Sequence, residues 1–337
     1  MSWYEQIQGD SLSWLMDDHT NSVRVLAMRK ILDIPTGDSD FLKAHEEAHN
    51  FGAIPEILNT MDEAGYWIKP GAGYQPKYKG TVWSIISLAQ LGASIEMDKR
   101  IQKACNYLLD HALNENGIFS TSGAPSETID CLQGNLCAAL LDLGVKDERL
   151  DKAFNWMARS VTGEGIAPLS DKNAPLRYYA YKCAPNFACG ANGKKPCAWG
   201  AIKVMLAFSK LPKHQITPII RQAIQQGLNF LLSVDPAAAN YPTSLENKPS
   251  PNWWKFGFPV FYITDILQLC EVLANLGCGK DPRLTNALTI IRNKQNDEGR
   301  WKMEYPYSDK MWLSYGLKGK PNKWVTLRAL QVLKLTF

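Results

Sequence analysis

The sequence lacks any long apolar run: no stretch approaches the ~18 uninterrupted apolar residues that a membrane-spanning helix needs. It lacks one-sided charge as well. Its 337 residues carry 37 Lys and Arg against 33 Asp and Glu, a net charge of +4. That charge is spread along the chain and is too mild to mark a nucleic-acid surface. The short basic tracts at Lys194-Lys195 and from Lys318 to Lys323 read as solvated loops. The opening Met1-Ser2-Trp3-Tyr4-Glu5 has neither the basic nor the apolar region of a secretory signal. Eight cysteines are too few for a disulfide scaffold. These absences lead us to expect a soluble, cytoplasmic chain with no nucleic-acid partner and no transmembrane segment. Strand-like alternation is also missing, so the expected fold is all-α, and 45% hydrophobic residues supply it with a large core.

What the sequence does have is internal repetition. One phrase recurs as Asp98-Lys-Arg-Ile-Gln-Lys-Ala104, Asp147-Glu-Arg-Leu-Asp-Lys-Ala153 and Asp281-Pro-Arg-Leu-Thr-Asn-Ala287, with a degenerate copy at Thr217-Pro-Ile-Ile-Arg-Gln-Ala223. Asp and Thr are good helix N-caps, and Pro218 and Pro282 fall in the first turn, where a missing N–H costs nothing. An apolar helix follows each copy. Another precedes it and stops at Leu91-Gly92, Leu143-Gly144, Leu211-Pro212 or Leu276-Gly277. The preceding helices are apolar all round and read as an inner layer. The following ones are amphipathic and read as an outer layer. Three units end in glycine and an aromatic: Gly65-Tyr-Trp67, Gly117-Ile-Phe119 and Gly299-Arg-Trp301.

The spacing between copies is 49, 70 and 64 residues, measured Ala104 to Ala153 to Ala223 to Ala287. Open solenoids keep a near-constant period, whereas irregular inserts suit a closed ring. We therefore expect one domain over residues 1–337, with an N-terminal segment at 1–21, helical repeats over 22–337 and a closing half-repeat from Trp324 to Phe337.

Gln295-Asn-Asp-Glu-Gly299-Arg-Trp301 resembles the repeat of squalene and other terpenoid cyclases, which protein prenyltransferase β subunits share loosely. Tyr74-Gln-Pro-Lys77-Tyr78-Lys-Gly-Thr81-Val-Trp83 and Lys323-Trp324-Val-Thr326-Leu-Arg328-Ala-Leu330 are similar to segments of bacterial prenyltransferase/squalene-oxidase repeat proteins. The resemblance implies an α/α toroid whose inner helices aim their N-termini at a central cavity. It also implies an isoprenoid or other apolar ligand, held by Tyr78, Trp83, Trp199, Tyr262 and Trp324.

Class II cyclases protonate their substrate with an aspartic acid, and the Asp-x-Asp-Asp motif of the bacterial enzymes is absent here. Asp17-Asp18 lacks the leading acid. Asp130-Cys131 matches the first two residues of the Asp-Cys-Thr-Ala-Glu motif of oxidosqualene cyclases. Asp130 is accordingly the candidate acid and Asp265 the fallback. The competing reading of Asp130 is an N-cap on a helix that starts at Cys131. The prenyltransferase zinc set, an Asp, a Cys two residues later and a distant His, is not matched, and no His follows His214. Two readings stay open: a cyclase-like enzyme, or a non-enzymatic toroid that binds or scaffolds.

Two further patterns concern metal. Cys183, Cys189 and Cys197 lie close together in a Gly-, Asn- and Pro-rich loop, and Cys131 stands on the preceding inner helix. They are candidate ligands of one zinc ion, or else free loop thiols or a disulfide. His45-Glu46-Glu47-Ala48-His49 with Gly52 matches the zinc-protease pattern HExxHxxG, but Pro55 stands where the extended motif needs His. The polar face of an outer helix is the preferred reading.

Overall fold

The computed structural model describes residues 2–124, 127–167, 170–174, 182–244, 248–307 and 309–337. In chain order its helices are α1 (Ser11–Leu15), α2 (Asn21–Lys30), α3 (Ser39–Asn50), α4 (Ala53–Leu58), α5 (Thr81–Gln90), α6 (Lys99–Ala112), α7 (Asp130–Asp142), α8 (Arg149–Thr162), α9 (Ala198–Phe208), α10 (Pro218–Leu231), α11 (Ile266–Leu273), α12 (Thr285–Asn293) and α13 (Lys323–Thr336). Among the described residues the sheet structure is one antiparallel hairpin, β1 (Ala188–Cys189) with β2 (Lys195–Pro196).

The Asp-x-Arg phrase builds the outer helices. Asp98 and Asp281 accept the N–H of Arg100 and Arg283 at 2.8 and 2.9 Å, and Asp147 accepts that of Arg149 at 2.9 Å. Each arginine then folds back on its own aspartate, at 2.7, 2.6 and 2.7 Å. Its free nitrogen reaches the previous unit: Arg100 to Asn59 at 2.9 Å, Arg149 to Asp110 at 2.7 Å, Arg283 to the Leu232 carbonyl at 3.2 Å. One short phrase thus caps a helix and ties it to the preceding repeat.

The glycine–aromatic phrase returns the chain to the inner layer. Gly117 has φ +82°, and a Cβ there would lie 2.4 Å from the Lys152 carbonyl carbon, so only glycine fits against α8. Trp67 and Trp301 donate their indole N–H to the Ile57 and Ile291 carbonyls at 3.0 and 2.7 Å. Their backbone amides donate to Thr81 and Thr326 on the next inner helix, at 3.1 and 2.9 Å. Phe119 makes the equivalent bond to Gln133 at 2.9 Å.

The inner helices α5, α7, α9, α11 and α13 pack in succession, and α13 packs on α2. Each outer helix, α3, α6, α8, α10 or α12, packs on the inner helix before it. α7 and α9 approach closely because a Cβ on Gly134 would meet the Lys203 carbonyl carbon at 2.3 Å. This arrangement is an α/α toroid.

The N-terminal segment packs on the last inner helix. α1 and the 3-10 turn Trp3–Gln6 pack against α13 as an outer layer. Lys323 pairs with Asp17 across this joint, Arg292 donates to Gln6 at 3.0 Å, and Gln295 donates to the Gln6 carbonyl at 2.9 Å. The ring closes with its first residues serving as its last outer layer. No described helix is long and apolar enough to cross a membrane.

Candidate functional site

The N-terminal turns of α5, α7 and α9 converge on one mouth of the ring, where a cavity of about 450 Å³ opens. Trp83, Cys131 and Trp199 enter it from those turns, and Tyr262 from the residues before α11. Tyr74, Tyr241 and Trp253 complete an aromatic wall. Ile86 and Asn135 form the floor and also line a small recess of about 90 Å³ at the opposite end of the ring.

Of the five aromatic residues expected at the ligand, Trp83, Trp199 and Tyr262 line the cavity. Tyr78 and Trp324 do not. Tyr78, at φ +71°, lies behind the wall and donates its hydroxyl to that of Tyr262 at 3.0 Å. Trp324 lies at the far recess and stacks on Phe258 with ring centroids 4.2 Å apart. Stacking partners outside the repeat phrases drew both rings aside. The sequence reading missed Tyr241 and Trp253, which come from the insert between α10 and α11, where no repeat pattern guides the eye.

The charge of the wall is one-sided. Lys77 and Lys182 line the cavity, and among the described residues no Asp or Glu does. The Lys77 ammonium sits 5.1 Å from the centre of the Tyr262 ring and 5.8 Å from that of Tyr74, held by cation–π attraction.

Asp130 is the first residue of α7, and its side chain caps nothing, so the N-cap reading fails. It is 2% exposed, its Oδ2 has no hydrogen-bond partner, and burial raises its pKa to about 7 despite the hydrogen bond with the Cys183 thiol. It does not line the cavity, whereas its neighbour Cys131 does. Asp265 is the residue that caps: it accepts the Gln268 N–H at 2.8 Å at the start of α11. Both its oxygens also bind the Arg328 guanidinium, at 2.7 and 2.9 Å. Asp265 is thus engaged by Arg328 and the α11 backbone, and it does not line the cavity where the fallback-acid reading would need it.

The four candidate zinc thiols have different hydrogen-bond partners. Cys183 hydrogen-bonds Asp130 and is pushed well up by burial. Burial raises Cys131 to about 12. Cys189 and Cys197 pair with each other across the foot of the β1–β2 hairpin. Among the described residues, no three His, Cys, Asp or Glu side chains stand where they could hold a metal ion.

Cys189 differs from the other cysteines. The hydrogen bond from Cys197, the N–H groups of Ala191 and Asn192, and the charge of Lys182 outweigh its burial and lower its pKa to about 6. The loop that presents it is clamped down. Asn192 donates to the Pro196 and Pro242 carbonyls at 2.9 and 3.0 Å, and Lys195 to that of Thr243 at 2.9 Å.

The HExxH pair is spent on backbone. His45 Nε2 bonds the Gly92 carbonyl at 3.2 Å, and His49 Nδ1 bonds that of His45 at 2.8 Å. His49 Nε2 accepts the Ser94 N–H at 3.0 Å.

No family model and no curated protein matches the sequence. Among solved structures, a glycosyl hydrolase family 88 protein from Bacteroides vulgatus matches with a TM-score of 0.53 and 10% identity over 99% of both chains. An unsaturated glucuronyl hydrolase from Bacillus sp. GL1 gives 0.45 and 11%, covering 94% of this chain and 86% of that one. A type II terpene cyclase from Scytonema gives 0.33 and 10%, covering 88% and 97%. The first likeness is of fold, the α/α toroid, and at 10% identity it transfers no activity.

Proposed function

We propose that the chain binds an elongated apolar ligand with an anionic end, of the isoprenoid kind, in the central cavity. The observation that carries this reading is the wall itself, which gathers Tyr74, Trp83, Trp199, Tyr241, Trp253 and Tyr262 and is charged only by Lys77 and Lys182 among the described residues. Three helix N-termini aim their partial positive charge at the same mouth, which adds to the attraction for an anion. Protonation-driven cyclisation is less well supported, because Asp130 sits one residue behind the wall and Asp265 is ion-paired. Glycoside hydrolysis normally uses two carboxylates facing the bond, and no described Asp or Glu faces this cavity.

The test is quenching of tryptophan emission on titration with farnesyl diphosphate and with farnesol. The diphosphate is expected to bind more tightly, and a Lys77→Ala, Lys182→Ala double variant to narrow that difference. No saturable quenching by either compound would overturn the reading.

A further inference from the structure

Two sulfurs lie in the wall of this cavity, in contact with each other, and ligand binding makes no use of them. Cys189 ends β1, and Cys197 follows β2 by one residue. The hairpin that pairs Cys189 with Lys195 therefore brings the second thiol alongside the first. Both are free thiols and both line the cavity. Their roles differ: Cys197 donates its S–H to Cys189, while Cys189 accepts that bond and two backbone N–H groups and has Lys182 nearby. The arrangement makes Cys189 the acceptor and Cys197 the donor of the pair. Cys183 does not line the cavity, and at Cys131 burial outweighs the charge of Lys203 and a backbone hydrogen bond.

We propose that Cys189 and Cys197 form a dithiol that reduces an organic hydroperoxide bound in the cavity, with Cys189 attacking and Cys197 resolving. The apolar substrate class rests on the ligand reading above; the dithiol does not. The Cys189 thiolate attacks the terminal peroxide oxygen, so that an S–O bond forms and the O–O bond breaks. The departing alkoxide takes the Cys197 proton and leaves as the alcohol. The Cys197 thiolate then attacks the sulfenic sulfur, the S–S bond forms, and hydroxide leaves, becoming water with the proton first lost by Cys189. One hydroperoxide gains two electrons and the two sulfurs lose them, and an external dithiol restores the pair by exchange.

The experiment exposes the reduced full chain to cumene hydroperoxide and, separately, to hydrogen peroxide, follows free thiols, and maps the product by peptide mass. The expected result is loss of two thiols and a Cys189–Cys197 disulfide. Cumene hydroperoxide should react faster by about tenfold or more, the equivalent of burying roughly two CH₂ groups. Cys197→Ser should stop at a sulfenic acid on Cys189 that dimedone traps. Cys189→Ser, checked for an unchanged melting profile, should lose the fast reaction. Oxidation of Cys189→Ser as fast as that of the unmodified chain, or a disulfide mapped to other cysteines, would overturn the dithiol; the mapping needs no variant. Equal rates with both peroxides would overturn the apolar substrate class alone.

Discussion

Asp265 and Arg328 join the inner helices α11 and α13 through two hydrogen bonds of 2.7 and 2.9 Å, with side chains only 5% and 11% exposed. The pair lies next to the seam where the ring closes on α2. Removing one partner strands a buried charge, so Arg328→Leu should cost about 3–5 kcal/mol in urea unfolding. The double variant Arg328→Leu, Asp265→Leu should recover much of that loss. Equal stability of the single variant and the parent chain would show that the pair contributes nothing.

Asp130 should make stability fall as pH rises. Burial lifts its folded pKa to about 7 from 3.8, so between about pH 4 and 7 the folded chain holds a proton that the unfolded chain has lost. The stability that this proton confers is complete below about pH 4 and gone above about pH 7. At about 1.4 kcal/mol per unit the effect is a few kcal/mol. Asp130→Asn should flatten the slope of unfolding free energy in that window, which chemical denaturation at a series of pH values measures.

Lys203 should act in a higher window with the opposite slope. It is fully buried on α9, donates to Gln268 at 2.5 Å, and burial lowers its pKa to about 7 from 10.5. Between about pH 7 and 10.5 the unfolded chain binds the extra proton, so stability rises with pH there, and the full cost is felt below pH 7. Lys203→Met should raise stability at pH 6 by a few kcal/mol and remove that rise. A variant no more stable than the parent at pH 6 would contradict the buried-cost argument.

Thr326 accepts the buried backbone N–H of Trp301 at 2.9 Å. Thr326→Val keeps the shape and orphans the donor, at about 1–3 kcal/mol in thermal or urea unfolding, while Thr326→Ser should cost much less. The same contrast is expected at Thr81, which serves Trp67.

Ligand affinity should separate the aromatic residues that line the cavity from those behind it. Trp199→Ala should weaken binding of an apolar ligand by about tenfold or more. Tyr78→Phe, which removes only the hydroxyl bonded to Tyr262, should leave affinity nearly unchanged. Titration of both variants with the same ligand checks the placement.

The sequence by itself determined the repeat unit. Asp98, Asp147 and Asp281 each bond the N–H two residues on, and Gly65, Gly117 and Gly299 each take a positive φ. Both effects are local, set by a side chain against its own backbone, and so are legible in a string of residues. Trp83, Trp199 and Tyr262, picked out near the starts of inner helices, line the cavity, whereas Trp324, placed alike in sequence, lies at the opposite recess. Only the tertiary structure decided the rest. The turn Trp3–Gln6 and α1 pack on α13, a contact between distant parts of the chain that no local pattern encodes. Asp130 and Asp265 are alike in sequence, each at the start of an inner helix. One lies against Cys183, with burial raising its pKa to about 7; the other meets Arg328, 63 residues away, through both its oxygens. Of the four candidate zinc thiols, Cys189 and Cys197 meet at the hairpin and Cys183 meets Asp130, contacts between residues that no local pattern joins. Partners distant in sequence fix charge state, and charge state fixes what each group can do.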